Sequence, residues 1–476
     1  MLVRWHRSIL ALSALALASC GSKGEGREGP APQRSAPTAL ASSAQAASPT
    51  SSGTAGASSA VPPAAPGASP RVFALETPGP ALLSVRDGGL FQIDEGKLTK
   101  LSDEAPRDMT AGPDGVVYTD RGKAVRGGVI EDLPTGMYAM FATAKDGALW
   151  SLELERSVAK LVGSGKDRTW QKEAVPAGKD TLMYIEVDAG GQPVVASRDT
   201  VYAKRGGQWE VTPASKLLPD APAEGVSIDG LVRVRDVVQV LTSHGAVGLD
   251  GKKLELPGHQ CSGSLYERIA QVSAAGELAA RCYRAALILD RSGKGTKLLP
   301  GAAMPKAEEV TAVAIDGQGR RWVGTDAGLA ILAPDGKPLQ RWEVGSLPGE
   351  VQSIVTLGAG PTLPVSTNPP VKGNVKARLL LNGSPAKRVE VEVCGHPRFL
   401  SYGKTPCAGQ AAVISAKTDD AGVFELVGVP RGNYGFTMKD AKGWSILSGL
   451  GAPACCTAVT SGGQLDLGDL RVEASK

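Results

Sequence analysis

The sequence predicts an all-β protein: a β-propeller of about seven blades, then a C-terminal β-sandwich, with a disordered linker ahead of both. Three observations predict it. The 476 residues include 60 Gly and 33 Pro but only 4% aromatics, a turn-rich composition poor in long helices. From residue 71 to 357, short alternating segments are separated by Asp-Gly or Gly-Gly turns that recur at roughly 30- to 45-residue intervals. The clearest copy, VTAVAIDGQGRRWVGTDAGLAILAPDGKPLQRW at residues 310–342, divides into four short strands, the pattern of one propeller blade.

The first element is an export signal. Arg4, His6 and Arg7 precede a Leu/Ala-rich run over residues 8–18, and small residues lead into Cys20, the order of a secretory leader. The run is too short to span a bilayer, which takes ~20 residues to cross ~30 Å of hydrocarbon. Leu17-Ala18-Ser19-Cys20 resembles the lipobox of bacterial lipoproteins. The resemblance implies a diacylglyceryl group on the Cys20 thiol, removal of residues 1–19, and stable anchoring in a lipid bilayer by more than one acyl chain. Gly21 stands where aspartate marks retention at the inner membrane, so the same resemblance implies an extracytoplasmic protein on the outer membrane.

Residues 20–70 form the lipidated linker. Beyond Cys20 they are mostly Ala, Ser, Gly, Pro and Thr without one aromatic side chain, and they cannot bury enough apolar surface to offset chain entropy. As a flexible coil this segment spans roughly 40 Å end to end.

The propeller is expected over 71–357. Its units begin with ALLSVRDGGLFQIDEGKLTKL from Ala81 and MTAGPDGVVYTDRGKAVRGG from Met109, and continue from Ala139, Tyr184, Leu231, Ile269 and Val310. The unit at Ala81 lacks a first strand, whereas EVQSIVTL at 350–357 is a strand left over. The ring closes if the late strand completes the early blade, which also removes free sheet edges. The 310–342 copy resembles the two-component-regulator propeller repeat through Asp316, Gly319, Trp322, Gly324, Thr325, Gly328 and Leu329. In that family such propellers form extracytoplasmic parts of sensors, several of them responsive to polysaccharide fragments. The resemblance implies the fold, and direct signalling is not expected here.

GAGPTLPVSTNPP at 358–370 reads as a proline-rich linker. In the last domain, 371–476, Val389, Val391 and Val393 alternate with Glu390 and Glu392, a half-buried strand with one wet face. Tyr434, Phe436 and Met438 share one face of another strand. Thr418-Asp419, Gly422, Phe424, Pro430, Gly432 and Tyr434 resemble the signature of the carboxypeptidase regulatory-like domain, a transthyretin-type β-sandwich. Residues 394–416 and 449–457 depart from that pattern, and each carries two cysteines.

Six cysteines follow Cys20, an even number that in an exported chain points to disulfides. Cys261 and Cys282 are set apart and are expected to pair. Cys394, Cys407, Cys455 and Cys456 then pair among themselves, stapling the two irregular regions. Vicinal Cys455-Cys456 leaves two alternatives open, a strained disulfide and a soft-metal thiol site.

Several chemistries are excluded or weakened. With 52 Lys+Arg against 48 Asp+Glu, a net charge of +4 falls further when Arg4 and Arg7 leave with the signal, and no basic face for nucleic acid is expected. After the leader the histidines are His244, His259 and His396, none followed three residues later by Glu, so a zinc peptidase site is not expected. GSGKD at 163–167 lacks the first glycine and the Ser/Thr of a phosphate loop. AKDGALW at 144–150 has Lys145 where an Asp-box turn needs aspartate, and Asp419 and Asp420 read as turn formers. No cofactor, metal or catalytic residue is assigned. Trp150 and Trp322 are ligand-contact candidates, since indole faces stack on sugars, although packing between sheets competes for both.

Two functions follow. The first is a non-enzymatic binding or scaffolding module for an envelope polysaccharide or protein. The second is a propeller hydrolase or lyase whose carboxylates, drawn from different blades, meet at the channel mouth.

Overall fold

In a computed structural model, described residues run from Glu76 to Val472, except 137, 154–155, 222–224, 255, 257–268, 274, 283–284, 367–368, 396, 398–404, 409, 411, 448–456 and 460–461. The leader, Cys20, the Ala/Ser/Pro/Gly-rich segment, Cys261, Cys455 and Cys456 lie outside the described residues. Each strand is short because a glycine or aspartate turn interrupts its alternating pattern every few residues. Short strands of this kind pair locally, and among the described residues they build seven four-stranded antiparallel sheets.

The sheets follow one another as propeller blades. Their innermost strands are Val351–Thr356, Met109–Ala111, Tyr138–Thr143, Tyr184–Val187, Ile228–Val234, Ala270–Val272 and Val310–Ile315. Blade 1 is composite: Ala81–Val85, Gly89–Asp94 and Lys97–Ser102 come from the start of the ring, and Val351–Thr356 is added from its end. The register pairs Leu83 with Ile354 and Leu82 with Val355, antiparallel. This is the closure expected from the unpaired 350–357 segment.

Burial follows position in the blade. Ala81–Val85 and Val310–Ile315 are buried along their whole length, whereas the outermost Thr169–Ala174 is largely exposed. Inner strands have a sheet on either side, so they read as continuous apolar runs and not as alternation. Turns are fixed by aspartate carboxylates: Asp316 Oδ1 accepts the Gln318 and Arg320 amides, each at 3.0 Å, and Asp188 Oδ1 accepts those of Gly190 and Gln192. Asp419 does the same for Ala421 and Val423, the turn-forming role expected of it. Gly328 has φ 129°, and a Cβ there would stand 2.0 Å from the Trp342 carbonyl oxygen, which explains a glycine at that point of the repeat.

Residues 358–366 are not a free linker. Arg320 Nη2 donates to the carbonyls of Ala359 (2.8 Å) and Pro361 (2.9 Å), and its Nε donates to Asp316 Oδ2 at 2.6 Å. Trp322 Nε1 donates to the same carboxylate oxygen at 3.0 Å. Further along, Gln340 and Val365 exchange two hydrogen bonds of 2.7 and 2.9 Å. The prolines deny this segment helix and ladder bonds, but its carbonyls remain acceptors, and a buried guanidinium takes them. The segment is a strap laid along blades 7 and 1.

The C-terminal sandwich follows. In one sheet Lys372–Leu381 lies between antiparallel Val423–Pro430 and parallel Gln464–Val472. The other contains Ile414–Lys417, Glu390–Cys394, Gly432–Asp440 and Gly443–Ile446, with Thr457–Val459 at the start of Gly432–Asp440. Val391, Val393, Phe424, Leu426, Tyr434, Phe436 and Met438 fill the core. The wet face expected beside Val391 is partly covered: Glu392 is buried, and its cross-strand partner Thr437 lies 4.0 Å from Cys407 Sγ.

Cys394 and Cys407 pair with each other across a 13-residue separation. The expected staple between the two irregular regions therefore does not run through them, because the insertion closes on itself and covers its own strand. Cys282 is also disulfide-bonded, with its partner outside the described residues.

Arg320→Met should strip the buried Asp316 carboxylate of its cation and two carbonyls of their donor. The expected loss is about 3–5 kcal/mol, read as a lower urea midpoint of the full chain; an unchanged midpoint would show that the pair does not hold the strap.

Candidate functional site

The antiparallel register sets which residues meet at each end of the ring. Val85 pairs with Val351 and Thr325 with Val310, so the hairpins at Arg86–Asp87 and Asp326–Ala327 stand at the end where the innermost strands begin. At blades 7 and 1 this rim meets the sandwich residues 431–434, and a shallow cleft, open at its mouth, lies between them. The two sides touch through backbone where the Val371 amide donates to the Gly345 carbonyl at 3.4 Å, and within the sandwich the Arg431 amide holds Val371 through its carbonyl at 2.8 Å. A Cβ on Gly345 would stand 3.2 Å from Pro430 Cβ, so glycine permits the approach.

The cleft is chemically mixed. Arg86 Nη2 lies 3.6 Å from Glu350 Oε1. Asp326 Oδ1 accepts the Glu308 and Glu309 amides at 3.1 and 3.2 Å, yet burial, the larger effect, raises its pKa to about 6. Val344, Leu347 and Ala412 supply apolar wall. On the sandwich side Tyr434 is 3% exposed, and its hydroxyl makes no hydrogen bond. Burial also drives that phenol far above its ordinary pKa, so it stays protonated.

A second set of polar groups lies toward the other end of the innermost strands. There Arg233 donates to the carbonyls of Val187 and Thr143, both at 3.3 Å, bridging three blades beside Glu186, Gln271 and Ser273. This guanidinium satisfies carbonyls at the ends of neighbouring strands and ties the ring across its bore.

The tryptophans singled out by sequence lie elsewhere. Trp322 is fully buried in the core of blades 7 and 1, and Trp150 is 4% exposed within the cluster of blades 3 to 5. Neither presents a face to a ligand, which corrects the ligand-contact expectation: both stand on second strands, where flanking sheets cover the ring. His244 is exposed on a hairpin, and His259 and His396 lie outside the described residues. Among the described residues, no three His, Cys, Asp or Glu side chains are placed to share a metal ion. Residues 163–167 form a turn between the outer strands of blade 3.

Asp326 escaped sequence reading although it lies inside the best repeat copy, between Thr325 and Gly328. Its proximity to the sandwich is a property of the third dimension. Tyr434 was legible as a core residue, but nothing in the spacing marks its hydroxyl as unpartnered.

No family model matches the chain, and no curated protein matches it. Solved structures do. Virginiamycin B lyase from Staphylococcus aureus is similar at 11% identity and a TM-score of 0.39, covering 50% of this chain and 84% of that one. The extracellular domain of a hybrid two-component system from B. thetaiotaomicron gives 12% identity and 0.41, covering 78% of this chain and 56% of that one. A Bacteroides caccae protein of unknown function gives 11% and 0.32, covering 58% and 98%. Identities this low assign no activity.

Asp326 yields a pH prediction. An unfolded carboxyl titrates near 3.8 and the folded one near 6, so the folded chain carries a penalty that is absent below the first value and complete above the second. Screening at this half-exposed group reduces it to on the order of 1 kcal/mol. Asp326→Asn keeps the accepting oxygen, so it should match the parent near pH 4 and exceed it near pH 7 in urea denaturation; a parallel pH profile for the two proteins would contradict this.

Proposed function

We propose that this chain is an extracytoplasmic, lipid-anchored binding or scaffolding module without catalytic turnover. It holds an envelope glycan or protein in the cleft between the ring rim and the sandwich. The observation that carries the reading is that cleft: a concave, partly apolar space with a few polar groups converging on it, the usual form of a binding site. Acylated Cys20 supplies the tether to the bilayer, on the outer membrane by its lipobox resemblance, and residues 21–70 supply the reach that lifts the ring from the headgroups. The sandwich, which resembles a carboxypeptidase regulatory-like domain, contributes one wall. No helix among the described residues is long and apolar enough to cross a membrane.

A second reading, hydrolysis or elimination on envelope polysaccharide, draws on Asp326, whose raised pKa would suit a general acid near neutral pH.

The test combines anchoring and binding. Labelled acyl chains should enter the parent and not Cys20→Ala. The full chain should bind isolated envelope glycan or protein saturably, lose that binding when Asn433→Trp fills the cleft, and release no product over the same period. Equal label in both proteins would remove the tether; product formation abolished by Asp326→Asn would move the assignment to the second reading.

A further inference from the structure

The proline-rich strap carries a groove along its length, lined by Pro78, Gln318, Leu339, Pro361, Leu363 and Pro364. Leu339 is 51% exposed on Pro338–Glu343, the outermost strand of blade 7. Leu363 is half-buried, and Pro78 and Pro364 are exposed. Among the described residues, Thr362 and Leu363 make no backbone hydrogen bond, so the ring has not used this stretch of strap. A solvated leucine beside prolines is stabilised by apolar side chains laid over it.

The chain's own course leads to that groove. The antiparallel closing ladder, in which Ala81 pairs with Thr356, continues outward through loop backbone. The Leu357 amide donates to the Pro80 carbonyl at 3.0 Å, the Gly79 amide to the Gly360 carbonyl at 3.3 Å, and the Ala359 amide to the Thr77 carbonyl at 2.8 Å. A Cβ on Gly79 would stand 2.4 Å from the Leu357 oxygen, so the two segments run in close contact. Traced backwards from Thr77, the same antiparallel course reaches residues 361–364.

The described residues begin at Glu76, and the five before it are Arg71-Val72-Phe73-Ala74-Leu75. Residues 21–70 hold no aromatic and a single leucine, Leu40, whereas Phe73 and Leu75 stand two apart. Residues two apart share one face of an extended chain, and five such residues span about 17 Å, enough to run alongside 361–364.

We infer that residues 71–75 dock in this groove as an extended segment, with Phe73 and Leu75 laid on Leu339 and Leu363. Continuity of the chain selects this occupant: the segment ends one residue before Thr77, which already pairs with the strap, so its effective concentration at the groove exceeds that of a partner in solution. Seated there, it lengthens the closing ladder and gives the chain a fixed point of entry into the ring, beside the strap that carries the sandwich.

Limited trypsin digestion of the full chain tests this, because Arg71 opens the segment and Arg34 supplies an internal reference. Cutting after Arg71 requires its neighbours to leave the groove, so the rate follows the undocked fraction. In the parent the Arg71 cut should be slower than the Arg34 cut by about tenfold or more. Leu339→Glu leaves the sequence around the cut untouched, and it should speed the Arg71 cut by about tenfold while the Arg34 cut keeps its rate. Phe73→Ser should act in the same direction. Each variant should show no cuts within 81–357, the sign of an intact ring; should they appear in Leu339→Glu, Phe73→Ser decides alone. Equal rates at Arg34 and Arg71 in the parent overturn the inference, as does a slow Arg71 cut that the variants leave slow. A parent that sediments as a dimer and becomes monomeric in Leu339→Glu, with Arg71 cutting indifferent to Phe73→Ser, would give the groove to a second copy and overturn the assignment to 71–75.

Discussion

The pairing of Val351–Thr356 with Ala81–Val85 is the constraint from which the rest of the molecule follows. A propeller whose first and last blades are built from contiguous chain has nothing but face packing to keep it closed. Here one blade takes its innermost strand from the far end of the ring, so opening the circle means breaking a largely buried ladder. Closure also leaves no inner strand unpaired. The price is a large loop-closure entropy, since the paired segments are far apart in sequence, although that cost grows only slowly with loop length.

From the closing strand the geometry passes outward through the strap. Immediately after Thr356 the chain meets Arg320, which is held by Asp316 and in turn holds the Ala359 and Pro361 carbonyls. Asp316 shapes its own hairpin, accepts from Trp322 and neutralises the arginine, so one buried carboxylate serves turn, core and strap. Gly360, at φ 73°, comes so close to this pair that a Cβ would stand 2.6 Å from Asp316 Oδ2. A fixed strap delivers Val371 to Gly345 and with it the sandwich to the rim, which is how a cleft forms between two separately cored units.

Much of this was legible in the chain. The turn spacing, the four-strand copy at 310–342 and the missing first strand of the early unit together gave the ring and its closure, because period and bookkeeping of strands are local properties. The sandwich core was readable from the Val391/Val393 and Tyr434/Phe436/Met438 alternations. The strap was not, since proline-rich sequence looks like spacer unless the arginine that receives it can be seen. For Trp322 the chain left ligand contact and packing between sheets both open, because aromatic identity says nothing about how many sheets surround it, and the structure gives packing. The cleft was hidden for a related reason: Asp326 and Tyr434 are separated by more than a hundred residues and meet only after closure has fixed the rim and the strap has fixed the sandwich.

Ser84 and Ser353 stand directly opposite each other in the closing ladder, where opposed Cα atoms lie about 4.5–5.5 Å apart, within reach of a disulfide. The most direct test is therefore oxidation of the folded Ser84→Cys/Ser353→Cys chain, followed by proteolysis and mass spectrometry. A ring closed through this ladder should yield a peptide pair joined through the two introduced thiols, and each single variant should keep its thiol free. Free thiols in the oxidised double variant would mean that the ring does not close through this ladder.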